Sequence, residues 1–404
     1  MSQIDIQRLG LHGDGIADGP IFAPLTLPGE TVEGELEGNR LKNIRVLTPS
    51  DQRVKAPCRH FKSCGGCQLQ HAADGFVADW KVDVVRQALA AQGLETDLRP
   101  IVTSPAQSRR RAVISARRTK KGALVGFHAR ASDVIADISD CQLLHPDLMR
   151  ALEIVGALSQ IGGSRKGELS ATVTLSDAGL DLSVKGGRPL DGALLARMAQ
   201  EVERHKLARL TWDGEVIATR IAPYQTFGKA RVVPPPGAFL QATKEGEEAL
   251  LASVRSAITQ GDSGVDLFAG SGTFTLPLAE SYMMHGIEGE KSMVKAMDAG
   301  WRMATGLKKV TAETRDLFRN PLIAEDLRYD FAVIDPPRAG AEAQVAELAK
   351  SQISEIAYVS CNPVTFARDA AVLVQAGYAL EWVQTVDQFR WSSHVELASR
   401  FVRK

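Results

Sequence analysis

After the proline run Pro234-Pro235-Pro236, apolar runs and amphipathic stretches alternate to the end of the chain, and this alternation restricts the fold more than any other feature. Apolar spacing predicts a helix over 244–259, a strand at 265–268, a glycine turn, and a helix over 276–283. Further strands are expected to end near Glu288, near Thr311, at Ile334 and Asp335, and at Val359 and Ser360. Strands separated by helices pair in parallel, and a parallel sheet needs helices on both faces. Residues 378–403 read as two strands with no helix between them.

Upstream the pattern is less regular. Residues 1–38 carry seven acids, Arg8 as the only base, and closely spaced glycines and prolines, which together read as a small β-barrel. Between residues 40 and 62 the sign reverses, with seven bases against Asp51 alone. Residues 76–92 set Trp80, Val84, Val85, Ala88 and Leu89 near helical spacing. The stretch 109–121, with seven bases and no acid, reads as a strand, and 171–185 as a hairpin turning at Asp177, Ala178 and Gly179. The expected division is therefore a barrel over 1–52, a mixed α+β central domain over 53–235, and an α/β Rossmann-like domain over 236–404.

Composition excludes some classes of protein. With 404 residues, 44% of them apolar, the chain has material for two or three cores and is not disordered. No apolar run approaches the ~18 residues of a membrane span, and residues 1–20 lack a basic start followed by an apolar core. A cytoplasmic monomer is expected. The 48 bases balance 48 acids, and zero net charge alone argues against a nucleic-acid partner. The charges are segregated, however, into an acidic N-terminal stretch and basic stretches at 40–62 and 109–121, so the sum does not exclude RNA.

The segment Asp266-Leu-Phe-Ala-Gly270-Ser-Gly272-Thr-Phe274 joins the first strand of the predicted sheet to a helix. Glycines there permit a tight turn and close approach of a ligand to the helix N-terminus. The third glycine of the dinucleotide fingerprint is replaced by Thr275, which disfavours pyrophosphate. Glu288, 18 residues after Gly270, ends the next strand, where a carboxylate can accept from both ribose hydroxyls of an adenosine. Asp316 could similarly accept from the adenine amino group. Strand, glycine turn and two spaced acids together point to S-adenosylmethionine.

Asp335-Pro-Pro-Arg338 ends the fourth strand, beside the ligand crevice of an open α/β sheet. Methyltransferases acting on exocyclic amines use a related turn with an aromatic fourth residue. Cys361, in Val359-Ser-Cys-Asn-Pro363, ends the neighbouring strand, so its thiol opens onto the same crevice. The C5 carbon of uracil is a poor nucleophile. A thiolate adding to C6 makes an enolate whose C5 can attack a sulfonium methyl group, after which a base must remove the C5 proton and the thiolate leaves. Glu396, in Ser393-His-Val-Glu396, is the candidate base. Cys58, Cys64 and Cys67 lie within ten residues of one another, with Cys141 alone downstream; an odd count of five cysteines points to metal or catalysis rather than to disulfides.

Taken together these residues resemble the S-adenosylmethionine-dependent RNA 5-methyluridine methyltransferases, in particular the iron-sulfur branch that modifies 23S ribosomal RNA. The resemblance covers almost the whole chain: GLHGDGIADG and LPGETVEGEL match the TRAM barrel, Cys58-Arg-His-Phe-Lys-Ser-Cys64-Gly-Gly-Cys67-Gln-Leu-Gln-His71 the cysteine motif, and Phe239-Leu-Gln241, the glycine turn, Asp335-Pro-Pro-Arg338, Ser360-Cys361-Asn-Pro363 and His394-Val-Glu396 the catalytic domain. It implies Cys361 as nucleophile and Glu396 as base. It also implies that Gln241, Phe268, Gly270, Gly272, Thr273, Glu288, Asp316 and Asp335 bind the methyl donor and uracil, and that Cys141 is the fourth ligand of a [4Fe-4S] cluster with Cys58, Cys64 and Cys67. Spacing by itself favours iron-sulfur over zinc, because only Cys64 to Cys67 forms a C-x-x-C knuckle. The sequence departs from the family at Thr243 and Thr273, both commonly Asn, and at Phe389-Arg-Trp-Ser392, where F-P-x-T is usual. The implied function is methylation of uridine C5 in 23S ribosomal RNA. Transfer RNA, an exocyclic amine as acceptor, and a metal-stabilised RNA-binding protein without activity are the alternatives.

Overall fold

The structure, a computed structural model, describes residues 2–404; Met1, where the expected barrel begins, lies outside them. The C-terminal region is built on an eight-stranded sheet in the order Val310–Thr314, Met283–Glu288, Ser263–Leu267, Phe331–Ile334, Glu355–Ser360, Glu396–Arg403, Tyr378–Asp387, Asp97–Thr103. The first five strands are parallel. Glu396–Arg403 then runs antiparallel to both its neighbours. Phe331–Ile334 and Glu355–Ser360 are buried at every residue, as strands covered on both faces must be. One face packs on helices Lys244–Ala257 and Lys291–Met303 through Leu250, Val254 and Met297. The other packs on helices Glu342–Lys350 and Pro363–Gln375 through Val345, Leu348, Phe366 and Leu373.

Three details differ from the sequence expectation, the smallest being that the strand expected to end near Thr311 is Val310–Thr314. The helix expected over 276–283 is the single turn Thr275–Leu278, and Met283 already opens the next strand. Helical-type bonds persist beyond that turn, Ala279 N–H to the Thr275 carbonyl at 3.0 Å and Tyr282 N–H to the Leu278 carbonyl at 2.9 Å, and the Tyr282 ring packs edge-on against Phe331, with centroids 4.9 Å apart. Helix Asp74–Ala90 and strand Asp97–Thr103, from the middle region by the expected boundaries, lie on the C-terminal sheet instead. The helix buries Val84, Val85 and Leu89 in the same core as Val345 and Phe366, and the strand pairs in parallel with Tyr378–Asp387.

The middle region is a seven-stranded sheet in the order Ile135–Asp137, Ala123–His128, Arg111–Arg118, Leu169–Ser176, Gly179–Lys185, Arg209–Trp212, Glu215–Thr219. Helices Ala151–Gly162 and Gly192–His205 cover it through Ile154, Val155, Leu158, Met198 and Val202. The hairpin turns where expected, with Ser176 opposite Gly179. Near the N-terminus six short strands form one sheet whose edges, Ser2–Asp5 and Arg8–Leu9, are almost consecutive in the chain, so the sheet curls round on itself. Among the described residues no helix is long and apolar enough to cross a membrane.

Candidate active site

In the parallel part of the sheet, the chain crosses from one side of Ser263–Leu267 to the other, and ligands bind at the carboxyl ends of strands at such a reversal. A cavity of about 630 Å³ opens there, within the range of small-molecule sites. Gln241, Phe268, Gly270, Thr273, Glu288, Asp316, Asp335, Cys361 and Glu396 all line it. Gly272 does not. Its φ is 94° and a Cβ there would stand 2.9 Å from Leu276 and Met297, so this glycine lets the turn pack on what lies behind it. Gly270, with φ of 57°, has nothing within 4 Å of where a Cβ would point, and leaves room for a ligand.

Glu288 is fixed by backbone donors: the Gly270 N–H reaches Oε2 at 3.0 Å and the Glu290 N–H reaches Oε1 at 2.8 Å. Each oxygen keeps a lone pair for another donor. Asp316 is held similarly, its Oδ1 accepting from the N–H groups of Phe318 and Arg319 at 3.0 and 3.3 Å. Phe268 and Phe318 form an aromatic wall with ring centroids 5.4 Å apart. Phe268 has φ of 67°, a strained conformation for an aromatic residue and one that concentrates at functional sites.

The other end of the cavity is set by register. Ser360 pairs with Leu397 and Val386 with Glu396, so the carboxylate of Glu396 stands at the strand end that carries Cys361. Asn362 caps helix Pro363–Gln375 through Oδ1, and its Nδ2 donates to the Arg338 carbonyl at 2.9 Å, tying the Cys361 turn to the Asp335-Pro-Pro-Arg338 loop. Glu396 accepts from Gln388 Nε2 at 2.7 Å. The same amide donates to Gln241 Oε1 at 2.5 Å, and Gln241 Nε2 lies 3.5 Å from Asp335 Oδ2, so a polar chain runs across the floor.

Burial governs the charges here. It pushes Glu396 up to about 7 against the pull of the Gln388 amide. It holds Asp335 well above the carboxylate range, with Glu396 and Asp266 adding to the effect. The Cys361 thiol is pushed up to about 12 by burial and by the fields of Glu396 and Asp335, against Arg338. With no ligand bound, the thiol is protonated at neutral pH.

The profile of the tRNA (Uracil-5-)-methyltransferase family matches residues 236–404. An uncharacterized RNA methyltransferase of Brucella suis is 42% identical over 398 residues, 98% of this chain and 96% of its own. The 23S rRNA (uracil(1939)-C(5))-methyltransferase RlmD of Chromohalobacter salexigens is 32% identical over 97% of this chain and 87% of its own. The chain belongs to the RNA uracil-C5 methyltransferase family. The crystal structure of Pyrococcus abyssi tRNA (uracil-54, C5)-methyltransferase, in complex with S-adenosyl-L-homocysteine, has the same fold, with a TM-score of 0.77 at 21% identity over 99% of both chains.

In this methyltransferase Cys58, Cys64, Cys67 and Cys141 line one small cavity of about 20 Å³, together with Phe61, Phe127 and Leu143. Among the described residues, no three His, Cys, Asp or Glu side chains are arranged to hold a metal ion. The thiols are nonetheless close enough to raise one another: burial first, then the neighbouring cysteines, push Cys67 up to about 12 and lift Cys64 and Cys141.

Three residues of the site were not singled out from sequence. Gln388, buried between Glu396 and Gln241, has no motif of its own. Lys81 is wholly buried in helix Asp74–Ala90 and donates to Asp387 Oδ1 at 2.6 Å and to the Phe389 carbonyl at 3.1 Å; a lysine among apolar helix positions was its only signal. Arg109, the first of the basic run, lines the active cavity with its guanidinium 5.6 Å from the Phe389 ring centre.

Proposed function

We propose that this protein transfers a methyl group from S-adenosylmethionine to C5 of a uridine in 23S ribosomal RNA. The observation that carries this is the meeting, in one cavity, of Cys361, Glu396 and Asp335 with the Gly270 turn, Glu288 and Asp316. RlmD, 32% identical over 97% of the chain, favours ribosomal RNA, whereas the transfer-RNA enzyme of Pyrococcus abyssi shares the fold at 21% identity.

S-adenosylmethionine supplies a methyl group on a cationic sulfonium. Glu288 receives the ribose hydroxyls, Asp316 the adenine amino group, and Gln241, Phe268 and Thr273 complete the wall. A cation in the cavity opposes the fields of Asp335 and Glu396 that keep the Cys361 proton in place, so donor binding favours the thiolate. Cys361 Sγ, its proton lost to solvent, adds to C6 of an unstacked uracil and pushes the C5–C6 electron pair into an enolate; C5 then takes the methyl group as its bond to sulfur breaks and S-adenosylhomocysteine leaves. Glu396 then removes the C5 proton, whose electron pair restores the C5–C6 double bond and expels the thiolate. An exocyclic-amine acceptor is disfavoured, because Arg338 stands where an aromatic platform is needed and Cys361 would be idle.

Residues 1–52 act in this scheme as a TRAM-like RNA-binding barrel, 53–235 as a central RNA-binding domain, and 236–404 as the methyl-transfer domain, to which 74–103 contribute a helix and a strand. Within the basic run Arg110 pairs with Glu247, Arg111 donates to the Gly237 and Ala238 carbonyls and Arg117 pairs with Glu168, so phosphate contacts fall to Arg118, Lys120 and Lys121. The cysteine pocket fits a [4Fe-4S] cluster in donor chemistry: four thiols, no carboxylate in the lining, and Arg109 and Arg130 near enough to offset thiolate charge. A 20 Å³ void is the room of a single water, so the thiols must swing apart to hold it.

The test is a Glu396→Gln protein incubated with S-adenosylmethionine and total RNA. A thiol-linked, methylated adduct mapping to a 23S uridine is expected. Methylation by Cys361→Ala protein would refute the thiolate route, and an adduct on transfer RNA would refute the substrate.

A further inference from the structure

Arg390 and Trp391, in the segment that departs from the family pattern, lie in the loop that leaves the sheet at Asp387 and re-enters it at Glu396. Phe389 and His394 from this loop line the active cavity. Its apex faces the other way. Trp391 is buried against Cys58, Phe61, Cys67 and Leu143, the apolar shell of the cysteine pocket. Its carbonyl accepts the N–H groups of Gln68 and Leu69, next to Cys67, at 2.8 and 2.9 Å. Its indole Nε1–H donates to Asp74 Oδ1 at 3.2 Å, and Arg390 donates to Asp74 Oδ2 at 2.5 Å and to the Ser104 carbonyl at 3.2 Å. Trp391 has φ of 60°, a conformation that a bulky side chain keeps only where its surroundings enforce it.

Apex and base are closely linked. The Ser392 N–H closes onto the Phe389 carbonyl at 2.9 Å, and Gln388, three residues before Trp391, donates to Glu396. The Gln388 side chain is also held by the Ala242 N–H at 2.7 Å and by Gln241, so the apex acts on it through the short backbone that joins them. We propose that Trp391, anchored on Asp74 and on the backbone beside Cys67, is a positioning residue that holds Glu396 for removal of the C5 proton. This rests on the reading of Glu396 as the base. It gives the cysteine pocket a part in the reaction by contact alone, with no electron transfer.

Two variants of the full chain test it. Asp74→Ala removes the shared acceptor at a side chain that is 61% exposed, and Trp391→Phe keeps the apolar wall but loses the indole donor. Each is assayed for turnover on uridine RNA and for the rate of adduct formation on RNA carrying 5-fluorouridine at the target. The fluorinated base needs thiolate addition and methyl transfer but offers no C5 proton to remove. Turnover is expected to fall about tenfold or more with the methylated adduct accumulating, while the fluorouridine rate stays within about twofold of the parent. Equal loss of both rates would mean a merely structural residue and overturn the proposal, as would no change in either. If Glu396→Gln protein turned over like the parent, the base assignment itself would fall, and the proposal with it.

Discussion

Replacing Gln388 by Met should move the pH dependence of proton abstraction to higher pH. Glu396, at about 7 because of burial, is held that low by the Gln388 amide 2.7 Å from its Oε2. A hydrogen bond to a charged group contributes about 1.5–3 kcal/mol, and 1.36 kcal/mol corresponds to one pH unit, so losing it raises the carboxyl by about one to two units. The base works deprotonated, so its rate rises with pH through this value. At pH 7 the variant should be about five- to fifty-fold slower than the parent, with the difference vanishing by about pH 10. Methionine nearly preserves volume but leaves the Ala242 N–H, now bonded to Gln388 Oε1 at 2.7 Å, without a good acceptor, at a cost of about 1–3 kcal/mol in stability. The assay is a pH jump: methylated adduct is formed in mild acid, where elimination is slow, and its decay is followed on denaturing gels across pH 5 to 10. Starting from the adduct removes the thiol's own titration from the measurement. A variant whose decay is slowed equally at every pH would refute the assignment of Gln388 as the group that sets the protonation of Glu396.

Stability should show the same burial from the other side. Glu396 is raised from 4.5 to about 7 in the folded protein, so the stability its proton confers is full below pH 4.5 and is lost as pH rises through 7; Glu396→Gln should be more stable than the parent by about 3 kcal/mol at pH 8 and no different at pH 4, by urea unfolding. Lys81→Met leaves Asp387 buried without its cation and should cost about 3–5 kcal/mol, whereas Lys81→Met with Asp387→Leu should recover most of it; a double variant that loses the sum of the two single losses would mean the pair is not coupled. Protein purified without oxygen should carry about four iron atoms per chain, and Cys64→Ser should lose most of them, as read by metal analysis and visible absorption.

The α/β sheet and the cavity's donor-binding end were legible because they obey local rules. Strand, glycine turn and helix follow one another in sequence, and the acids at 288 and 335 sit at strand ends that periodicity locates, whereas the strand before Asp316 ends at Thr314, later than its pattern suggests. What escaped depends on pairings between distant segments. Nothing near Asp97 announces that it will pair with Trp382, and nothing near Lys81 names Asp387 as its partner. Gln388 reads as an ordinary loop amide until the register of Glu396–Arg403 against Tyr378–Asp387 brings it to the carboxylate. The cysteines lay between these extremes: spacing marked Cys58, Cys64 and Cys67, Cys141 joined them only through the family resemblance, and in the folded chain all four line one pocket.

Strand Asp97–Thr103 completes the catalytic sheet from a segment that leaves the ribosome long before the rest of that sheet exists. Its partner Tyr378–Asp387 emerges far later, so the sheet cannot be finished until that distant strand has been made, and a pairing of such long range slows folding. A fragment beginning at residue 236 would present Tyr378–Asp387 as a bare edge and expose the face that Val84, Val85 and Leu89 cover, a combination that invites aggregation. The methyl-transfer region is thus not a detachable module. It becomes a folded body only when Asp97–Thr103 meets Tyr378–Asp387.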